Sequence, residues 1–590
     1  MTAARCRGYS IPVAWVSLCI LTLSGMERVV VIRAWGLVII LLLGCLPAWP
    51  APFIFYRGVV NAASFAPPGL PNASIARGSI FTIFGRNLGP AAAAQVSSFP
   101  LPVELAGVSV EVCREAECRS AIPLFVRADQ INAIMPSDAP LGLVSIRVRF
   151  NEEPGNWLTA RIVESSLGIF AVNSAGFGPG AIQNFVSPAD QPINSAVATA
   201  RPGQVVTAWG TGLGPGLNAD REAPRPGSLP TQVEIWVGGV PVTNVLYSGR
   251  SPCCSGVDQL VFEIPATAPS GCYVPLEIRL NGAVVSNTVT MAISANGGTC
   301  SDRGGEIMSA IRSGGRTGLI TLLRQLRYTE FPLALGIQET DIAVGEFRED
   351  TGGPFTYHPE WSLPPAGTCI TQSIRGAVLD RVPRPGSRPS VRALDAGDAL
   401  SVRTQDRIIP VPQQASRDHE YTQLLGARLG EGAASTLVQG EGSAVRVAGR
   451  GGPDVGGFEV VVPAPVGFEW TNRTGLVDID RSRPVRLTWT GAPAGAFVWI
   501  QGGVSDFPTD STTIFSCIAD AGNGFFTVPI QVLDRLPPLR VRAARSRAWL
   551  GMAVLSPAGA TSFEAAGLDR GFAASFRQTV QAVRYQRGQP

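Results

Sequence analysis

Eight cysteines are the residues of this chain that most directly suggest chemistry. They follow residue 50, as Cys113, Cys118, Cys253, Cys254, Cys272, Cys300, Cys369 and Cys517. Cysteines can form disulfides or bind metal ions, and an even number favours disulfides in an exported chain. No Cys-x-x-Cys spacing supports a zinc site. We therefore expect disulfides, no metal site and no cofactor.

Spacing along the chain suggests how these cysteines pair. The first two flank a short turn in VEVCREAECRSAI (110–122), where the strands of a hairpin would bring them together. The expected pairs are Cys113 with Cys118, one of Cys253 and Cys254 with one of Cys272 and Cys300, and Cys369 with Cys517. Other pairings stay open, because eight cysteines can combine in many ways.

Histidines are the usual bases of nucleophilic catalysis, and the chain has two, His358 and His419. Neither lies in a hydrolase motif, and the Gly-x-Ser-x-Gly turn is absent. A Ser-His-Asp triad assembled only in three dimensions stays open. The sequence therefore predicts a protein that is not an enzyme.

Paired carboxylates could catalyse glycoside hydrolysis. Asp478 and Asp480 stand two residues apart and share a strand face, for which exposure to solvent is the simpler interpretation; Asp418 with Glu420 is the other pair. The loops at 216–222 and 505–513 contain oxygen ligands without the spacing of a known calcium loop. Neither group predicts a catalytic or metal site.

Tryptophans could form a platform for carbohydrate if two of them were exposed together. Strand alternation and the repeat described below predict core positions for three pairs: Trp209 and its counterpart Phe84, Trp489 with Leu487, and Trp499 with Phe497. Three others are less constrained, namely Trp236, Trp361 and Trp470. An exposed pair among these three would favour glycan binding.

The elements that position these residues are repeated. ARGSIFTIFGRNLGP (76–90) matches ARPGQVVTAWGTGLGP (200–215), and DQINAIMPSDAPLG (129–142) matches DQLVFEIPATAPSG (258–271). VSIRVRFN (144–151) then matches VPLEIRLN (274–281), so the chain contains a tandem duplication. The repeated residues include no nucleophile and no metal ligand, which indicates that they determine a fold.

Periods of two and frequent turn residues predict an all-β protein built from tandem immunoglobulin-like sandwiches. Only GLITLLRQLRY (318–328) also permits a helix. The predicted domains are a targeting segment at 1–52, a first sandwich at 53–165, a second at 166–296, a β-rich connecting region at 297–390 and a C-terminal β-sandwich-like domain at 391–590.

The repeat resembles the immunoglobulin-like fold called IPT or TIG. The span 58–293 is also similar to the Solibacter uncharacterised C-terminal domain family of exported acidobacterial proteins, through VVNAASFAPPG (59–69), QINAIMP (130–136), GIFAVNSAGFGPGAIQN (168–184) and SNTVTMAI (286–293). The resemblance implies export and tandem sandwiches. It implies no activity and no catalytic residues.

The N-terminus predicts export. Basic residues after Met26, an apolar core at 34–43 and a Pro-containing end follow the plan of a signal peptide, and Met26 is an alternative start. LLGC resembles a lipobox, which would make Cys45 a lipidation site. A net charge of +3 without basic runs argues against nucleic acid as a partner. We expect contact with the membrane only through this segment or a lipid anchor.

Together these features predict an exported, non-enzymatic protein with a structural, adhesive or binding role at the bacterial cell envelope. Its location would be extracellular, periplasmic or on the cell surface, and its partner a protein or glycan there. The alternatives are a carbohydrate-binding accessory protein of an extracellular degradation system and a secreted hydrolase with its site in 300–590.

Overall fold

Strands form most of this chain, as its alternation of apolar and polar residues dictates. We describe the protein from a computed structural model, which covers residues 51–301, 306–328, 337–359, 361–375, 391–404, 407–414, 419–429, 444–506, 511–537, 547–556 and 559–586. Residues 51–590 belong to one compact unit. The predicted all-β class is confirmed.

The first sandwich is an 11-stranded sheet that folds over one core. Its strands are β1 (Phe53–Asn61), β2 (Ile75–Ala76), β3 (Ile80–Arg86), β4 (Ala94–Gln95), β5 (Glu104–Leu105), β6 (Val108–Arg114), β7 (Glu117–Val126), β8 (Gln130–Ile134), β9 (Gly142–Phe150), β10 (Glu153–Pro154) and β11 (Leu158–Val163). They follow the order β1-β3-β8-β7-β6-β9-β11-β2, and the long β7 joins both faces. Phe81, Ile131 and Val148 lie in the core between them.

The second sandwich has a 6-stranded and a 5-stranded sheet. Its strands are β12 (Gly168–Ile169), β13 (Ile182–Asn184), β14 (Val205–Thr211), β15 (Gly227–Ser228), β16 (Val233–Val237), β17 (Val240–Pro241), β18 (Val245–Arg250), β19 (Asp258–Glu263), β20 (Gly271–Leu280), β21 (Val284–Val285) and β22 (Val289–Ile293). Their orders are β12-β14-β19-β18-β15 and β17-β16-β20-β21. Phe262 and Ile278 face each other across the core.

The remaining elements form the C-terminal part. They are α1 (Glu306–Ser313), β23 (Gly315–Tyr328), β24 (Ile337–Asp350), β25 (Cys369–Arg375), β26 (Arg392–Ala393), β27 (Ala399–Arg403), β28 (Ile408–Pro412), β29 (Tyr421–Leu429), β30 (Val445–Gly449), β31 (Phe458–Val462), β32 (Glu469–Trp470), β33 (Asp478–Asp480), β34 (Val485–Thr490), β35 (Phe497–Asp506), β36 (Ser511–Asp520), β37 (Phe525–Val528), α2 (Ile530–Leu533), β38 (Arg547–Leu555), β39 (Ala560–Phe563), β40 (Arg570–Ala582) and β41 (Arg584–Gln586).

One 10-stranded sheet runs through this C-terminal part, in the order β25-β36-β35-β38-β40-β23-β24-β26. The segment 318–328 is therefore a strand, since it lies in β23 and pairs with β24 and, in parallel, with β40. Strands β23 and β24 from 297–390 are thus internal members of the sheet that 391–590 completes, while β25 lies at its edge. The boundary predicted at residue 390 does not coincide with a boundary between sheets.

The duplication is visible in strand register. Ile80 pairs with Ile134 between β3 and β8, and the corresponding Val205 pairs with Glu263 between β14 and β19. Glu111 opposite Arg147 likewise corresponds to Trp236 opposite Glu277. Because a slip of one residue would turn every side chain to the other face, equal registers mean that equivalent residues occupy equivalent faces.

The turns after β9 and β20 also correspond. Asn151 and Asn281 both have positive φ, at 51° and 47°, a conformation that asparagine tolerates better than most residues. Their backbone N–H groups donate to the carbonyls of Gly107 and Gln232, which are equivalent in the repeat. The same short local sequence therefore ends the same strand twice.

A buried ion pair organises the second sandwich. Arg250 and Asp258 lie 2.8 Å apart with almost no exposure. Complete burial raises the pKa of Asp258, while the charge of Arg250 and backbone N–H groups oppose that shift. Those groups belong to Gly212 and Leu213, which donate at 2.6 and 2.7 Å, and Arg250 donates to the Gly214 carbonyl at 2.6 Å. The pair thus holds the Gly-Leu-Gly loop at 212–214, which corresponds to Asn87-Leu88-Gly89 in the first copy.

Disulfides join the described cysteines in four pairs. They are Cys113–Cys118, Cys253–Cys254, Cys272–Cys300 and Cys369–Cys517. The expectation that Cys253 or Cys254 reaches Cys272 or Cys300 is wrong. Cys272 is buried in an aromatic cluster with Tyr273, and Cys300 joins it from the segment that leaves the second sandwich.

The N-terminal predictions lie outside the described residues, including the signal peptide, the start at Met26 and the lipidation of Cys45. Among the residues that are described, no helix has both the length and the apolar character needed to cross a bilayer.

Peptide mapping of the unreduced full-length protein should recover the four disulfide pairs. The vicinal pair should appear as one peptide lacking two hydrogens, because both cysteines belong to the same fragment. A fully reduced sample is the control. Free thiols at Cys113 and Cys118, or a link between Cys253 and Cys272, would contradict the connectivity.

Replacing Arg250 with Met should destabilise the protein by about 3–5 kcal/mol, because it leaves a buried carboxylate without its cation. Arg127→Met is the matched control, since Arg127 pairs with Asp129, the exposed counterpart of Asp258 in the first repeat. The control should cost less than about 1 kcal/mol. Urea unfolding of both variants measures the difference, and equal costs would contradict the buried role.

Candidate functional site

The carboxylates considered for acid–base chemistry lie in local ion pairs. Asp478 contacts Arg584 at 2.5 Å, and hydrogen bonding from this guanidinium lowers the pKa of Asp478. Asp480 accepts a hydrogen bond from the Ser482 hydroxyl at 2.6 Å, while Ile479 between the two aspartates enters the core. The pair therefore has the solvated arrangement that the sequence favoured. Asp418 lies outside the described residues, so its pairing with Glu420 is not described.

The two histidines occupy separate local environments. His419 lies 2.5 Å from the Gln413 amide through Nδ1, and the His358 backbone N–H donates to the Ser362 hydroxyl at 2.8 Å. Within the described residues, no group of three or more His, Cys, Asp or Glu side chains is placed to hold a metal ion.

The loop at 216–222 joins the two sandwiches. Asp220 accepts hydrogen bonds from the backbone N–H and the hydroxyl of Ser137, at 2.8 and 2.6 Å, and Arg221 donates to the Leu101 carbonyl at 2.6 Å. The Asp220 carboxylate, which is the best candidate calcium ligand in this loop, is therefore hydrogen-bonded to the first sandwich. The middle of the other candidate calcium loop, 507–510, lies outside the described residues.

Two of the core predictions for tryptophan are wrong. Trp209 is half-buried and points away from the core of the second sandwich, and its indole N–H donates to Gln183 at 2.9 Å. Trp499 and Phe497 also face away from the core, since Val498 and Ile500 fill it. The predicted alternation of side chains is correct for both strands, but the face predicted to pack in the core is the wrong one.

The other tryptophans do not form an exposed pair. Trp489 lies in the C-terminal core with Leu487, as predicted, and Trp470 lies there too. Trp236 and Trp361 are half-buried. Phe84 is buried as predicted, although it lies outside the main core, beneath Phe65 at a ring-centroid separation of 6.3 Å.

The exposed face of the first sandwich has a different arrangement. Val110, Ile146 and Val148 point into the core. Their neighbours on β6 and β9 therefore point outward, and these include Glu111 and Arg147. We call this surface the outer face, made of Ser109, Glu111, Ser120, Ser145, Arg147, Arg149, Trp157 and Thr159 on β6, β7, β9 and the start of β11.

A charged fork lies at the centre of the outer face. Arg147 donates to one oxygen of Glu111 through two nitrogens, at 2.8 and 2.6 Å, and Arg149 donates to the other oxygen at 2.6 Å. Partial burial raises the pKa of Glu111, but Arg149 and Arg147 outweigh it, so that the pKa lies below its ordinary value. Glu111 is therefore ionised at neutral pH, and the fork is a fixed pattern of charges.

Trp157 stands beside this fork. The Arg147 guanidinium lies 4.2 Å from its ring centroid, and 44% of the residue is exposed. By register, the side chains of Ser109, Ser145 and Thr159 lie on the same face, with Thr159 two residues from Trp157 and opposite Ser145. An exposed indole held by a cation, with planar charges and hydroxyls around it, can stack on a ring or an apolar group and hydrogen-bond at its edge.

Sequence reasoning did not single out Trp157. A signal existed, because Trp157 precedes Leu158 and shares the outward parity of Thr159 and Arg161 next to the alternating strand β9. That parity shows only which residues share a face. Whether the face is covered depends on the rest of the chain.

No family model matches this chain, and no curated protein matches it. Solved structures that match include the plexin A4 extracellular region, at 12% identity over 66% of this chain and 31% of that chain with a TM-score of 0.13. A set of titin domains matches at 11% over 65% and 91%, TM-score 0.13. SGBP-B from a xyloglucan utilization locus of Bacteroides uniformis matches at 12% over 63% and 86%, TM-score 0.15. The chain spans about a third of the plexin region, and similarities this weak carry no argument about its function.

Proposed function

We propose that this protein is exported to a bacterial cell envelope and acts there without catalysis, as a structural or adhesive binding protein. The observation that carries the proposal is the outer face of the first sandwich, with exposed Trp157 beside a fixed Arg–Glu–Arg fork. Aromatic and arginine side chains of this kind are typical anchors of binding surfaces. The partner is a protein or a glycan of the cell surface.

Disulfides support the location. Four pairs among the described cysteines fit a chain that folds in an oxidising compartment, because reducing compartments seldom retain structural disulfides. Ion pairs support the absence of catalysis, since the candidate acids Asp478 and Asp480 are held by neighbouring groups.

A second candidate is carbohydrate binding within an extracellular degradation system. The observation that favours it is the composition of the outer face, where hydroxyls and a bidentate charged fork surround an exposed indole. An indole can stack on a sugar ring, while the fork and hydroxyls can hydrogen-bond its hydroxyl groups. A ligand that is mainly polypeptide would have less use for this arrangement of short polar side chains.

Substituting Trp157 with Ala should weaken binding by about tenfold or more, as truncation of an interface anchor does. The full-length protein is first screened against a glycan array and isolated cell-wall fractions, and each ligand found is then titrated by calorimetry. Phe525→Ala is the matched control, because Phe525 is also an exposed aromatic ring (41%) stacked by an arginine.

Retention on a purified glycan supports the carbohydrate role, and retention only on a protein component supports the adhesive role. Equal affinities of the wild type and Trp157→Ala for every ligand found would show that the outer face is not the contact surface. Turnover of any glycan by the protein would overturn the non-catalytic proposal.

A further inference from the structure

The second sandwich has a counterpart of the outer face, and it is covered. By register, Trp236, Glu277 and Arg279 correspond to Glu111, Arg147 and Arg149. Glu277 points away from the core of its sheet but is buried, at 8% exposure. The C-terminal part covers it with Arg535, which follows α2.

Arg535 makes a specific contact there. Its guanidinium lies 2.8 Å from the Glu277 carboxylate and also donates to the Thr288 hydroxyl, which in turn donates to Glu277 at 3.3 Å. The residue is 92% buried, since its exposure is 8%. The second sandwich is therefore joined to the C-terminal part by a buried cation and a buried anion.

Four guanidinium nitrogens in this cluster have no acceptor among the described residues. They are Nε and Nη2 of Arg279 and Nε and Nη2 of Arg535, all of them buried atoms. Buried donors of this kind are costly, because water is excluded from them and no protein oxygen replaces it. Something that accepts hydrogen bonds is required at this position.

Charge specifies what the acceptor is. Two guanidinium groups face one carboxylate, and burial lowers the pKa of Arg535, an effect that Glu277 opposes and Arg279 reinforces. Glu234 is opposite Arg279 in register, but it is exposed and forms no ion pair with Arg279 among the described contacts. A neutral acceptor such as water would satisfy the unpaired N–H groups of Arg279 and Arg535. It would leave the excess positive charge of the two guanidinium groups in place.

The repeat shows how the unpaired nitrogens of Arg279 arise. In the first sandwich, Glu111 accepts hydrogen bonds from both Arg147 and Arg149. In the second, the position of Glu111 is taken by Trp236, whose ring lies 5.5 Å from the Arg279 guanidinium. Arg279 has therefore kept the place of Arg149 but has lost the cross-strand carboxylate that accepts a hydrogen bond from Arg149.

We propose that a small oxyanion, such as phosphate or sulfate, binds between Arg279 and Arg535 and completes the contact between the second sandwich and the C-terminal part. Guanidinium forks match the geometry of tetrahedral oxyanions and bind them through paired N–H groups. The anion takes the place of the missing carboxylate. Because it binds only the assembled contact, it stabilises the folded chain increasingly as its concentration rises above the dissociation constant, with a logarithmic dependence.

The test uses the full-length protein and inorganic phosphate or sulfate, titrated by calorimetry against sodium chloride of equal ionic strength. We expect one saturable site per chain and a rise of the thermal unfolding midpoint as the site fills. Arg279→Gln should weaken binding by about tenfold or more, because it removes the charge and one fork. Arg279 is half-buried rather than fully buried, so the variant should fold.

Two further variants separate this site from general salt effects, since phosphate and sulfate also stabilise proteins by exclusion. Glu277→Gln removes the competing carboxylate, so it should tighten anion binding while lowering stability without anion. Arg149→Gln is the matched control in the first sandwich and should leave binding unchanged. Absence of saturable binding, equal binding by Arg279→Gln, or weaker binding by Glu277→Gln would overturn the proposal.

Discussion

The buried ion pair of Arg250 and Asp258 determines how the two sandwiches meet. Asp258 holds the Gly-Leu-Gly loop at its backbone N–H groups, and Arg250 holds the Gly214 carbonyl of the same loop. The neighbouring Thr211 hydroxyl accepts the Ile80 N–H of the first sandwich at 2.8 Å. A buried pair of this kind is weak as a source of stability but exacting in geometry, because neither charge tolerates loss of the other.

Glycine is required at this junction. Gly78 has φ of +67°, and a Cβ atom there would lie 3.0 Å from the Gly214 carbonyl and 3.1 Å from the Arg250 guanidinium. Gly78 comes from the first copy of the repeated phrase, and Gly214 from the second. The phrase therefore has two physical roles, since it forms an equivalent strand and loop in each sandwich, and the start of its first copy packs against the loop of its second copy.

Duplication also explains how one surface acquired two uses. The outer sheets share register, but Glu111, Arg147 and Arg149 of the first sandwich are replaced by Trp236, Glu277 and Arg279 in the second. The first set has one carboxylate and two guanidinium groups, and it is open to solvent beside Trp157. The second set reaches the same net charge only when Arg535 of the C-terminal part covers it, and there the charges are buried. A change of two side chains on a constant backbone, with the arginine of Arg149 and Arg279 kept, separates a free face from an internal contact.

Much of this protein could be predicted from its sequence. Alternation in strands such as β9, the repeat and the positive-φ asparagines are local, because each depends on residues a few positions apart. The turn between Cys113 and Cys118 is equally local. Such features determine the strands, their registers and the all-β class.

Only the tertiary structure decided which faces are covered. Trp209 and Trp499 lie outside the cores although their strands were recognised, and Cys272 reaches Cys300 rather than its nearer neighbours. Strand β23 becomes internal only because β40, far along the chain, pairs with it, and β24 becomes internal because β26 and β29 pair with its other edge. A period of two defines two faces, but their burial depends on distant segments that sequence spacing does not specify. The exposure of Trp157 and the burial of Glu277 under Arg535 are set in the same way.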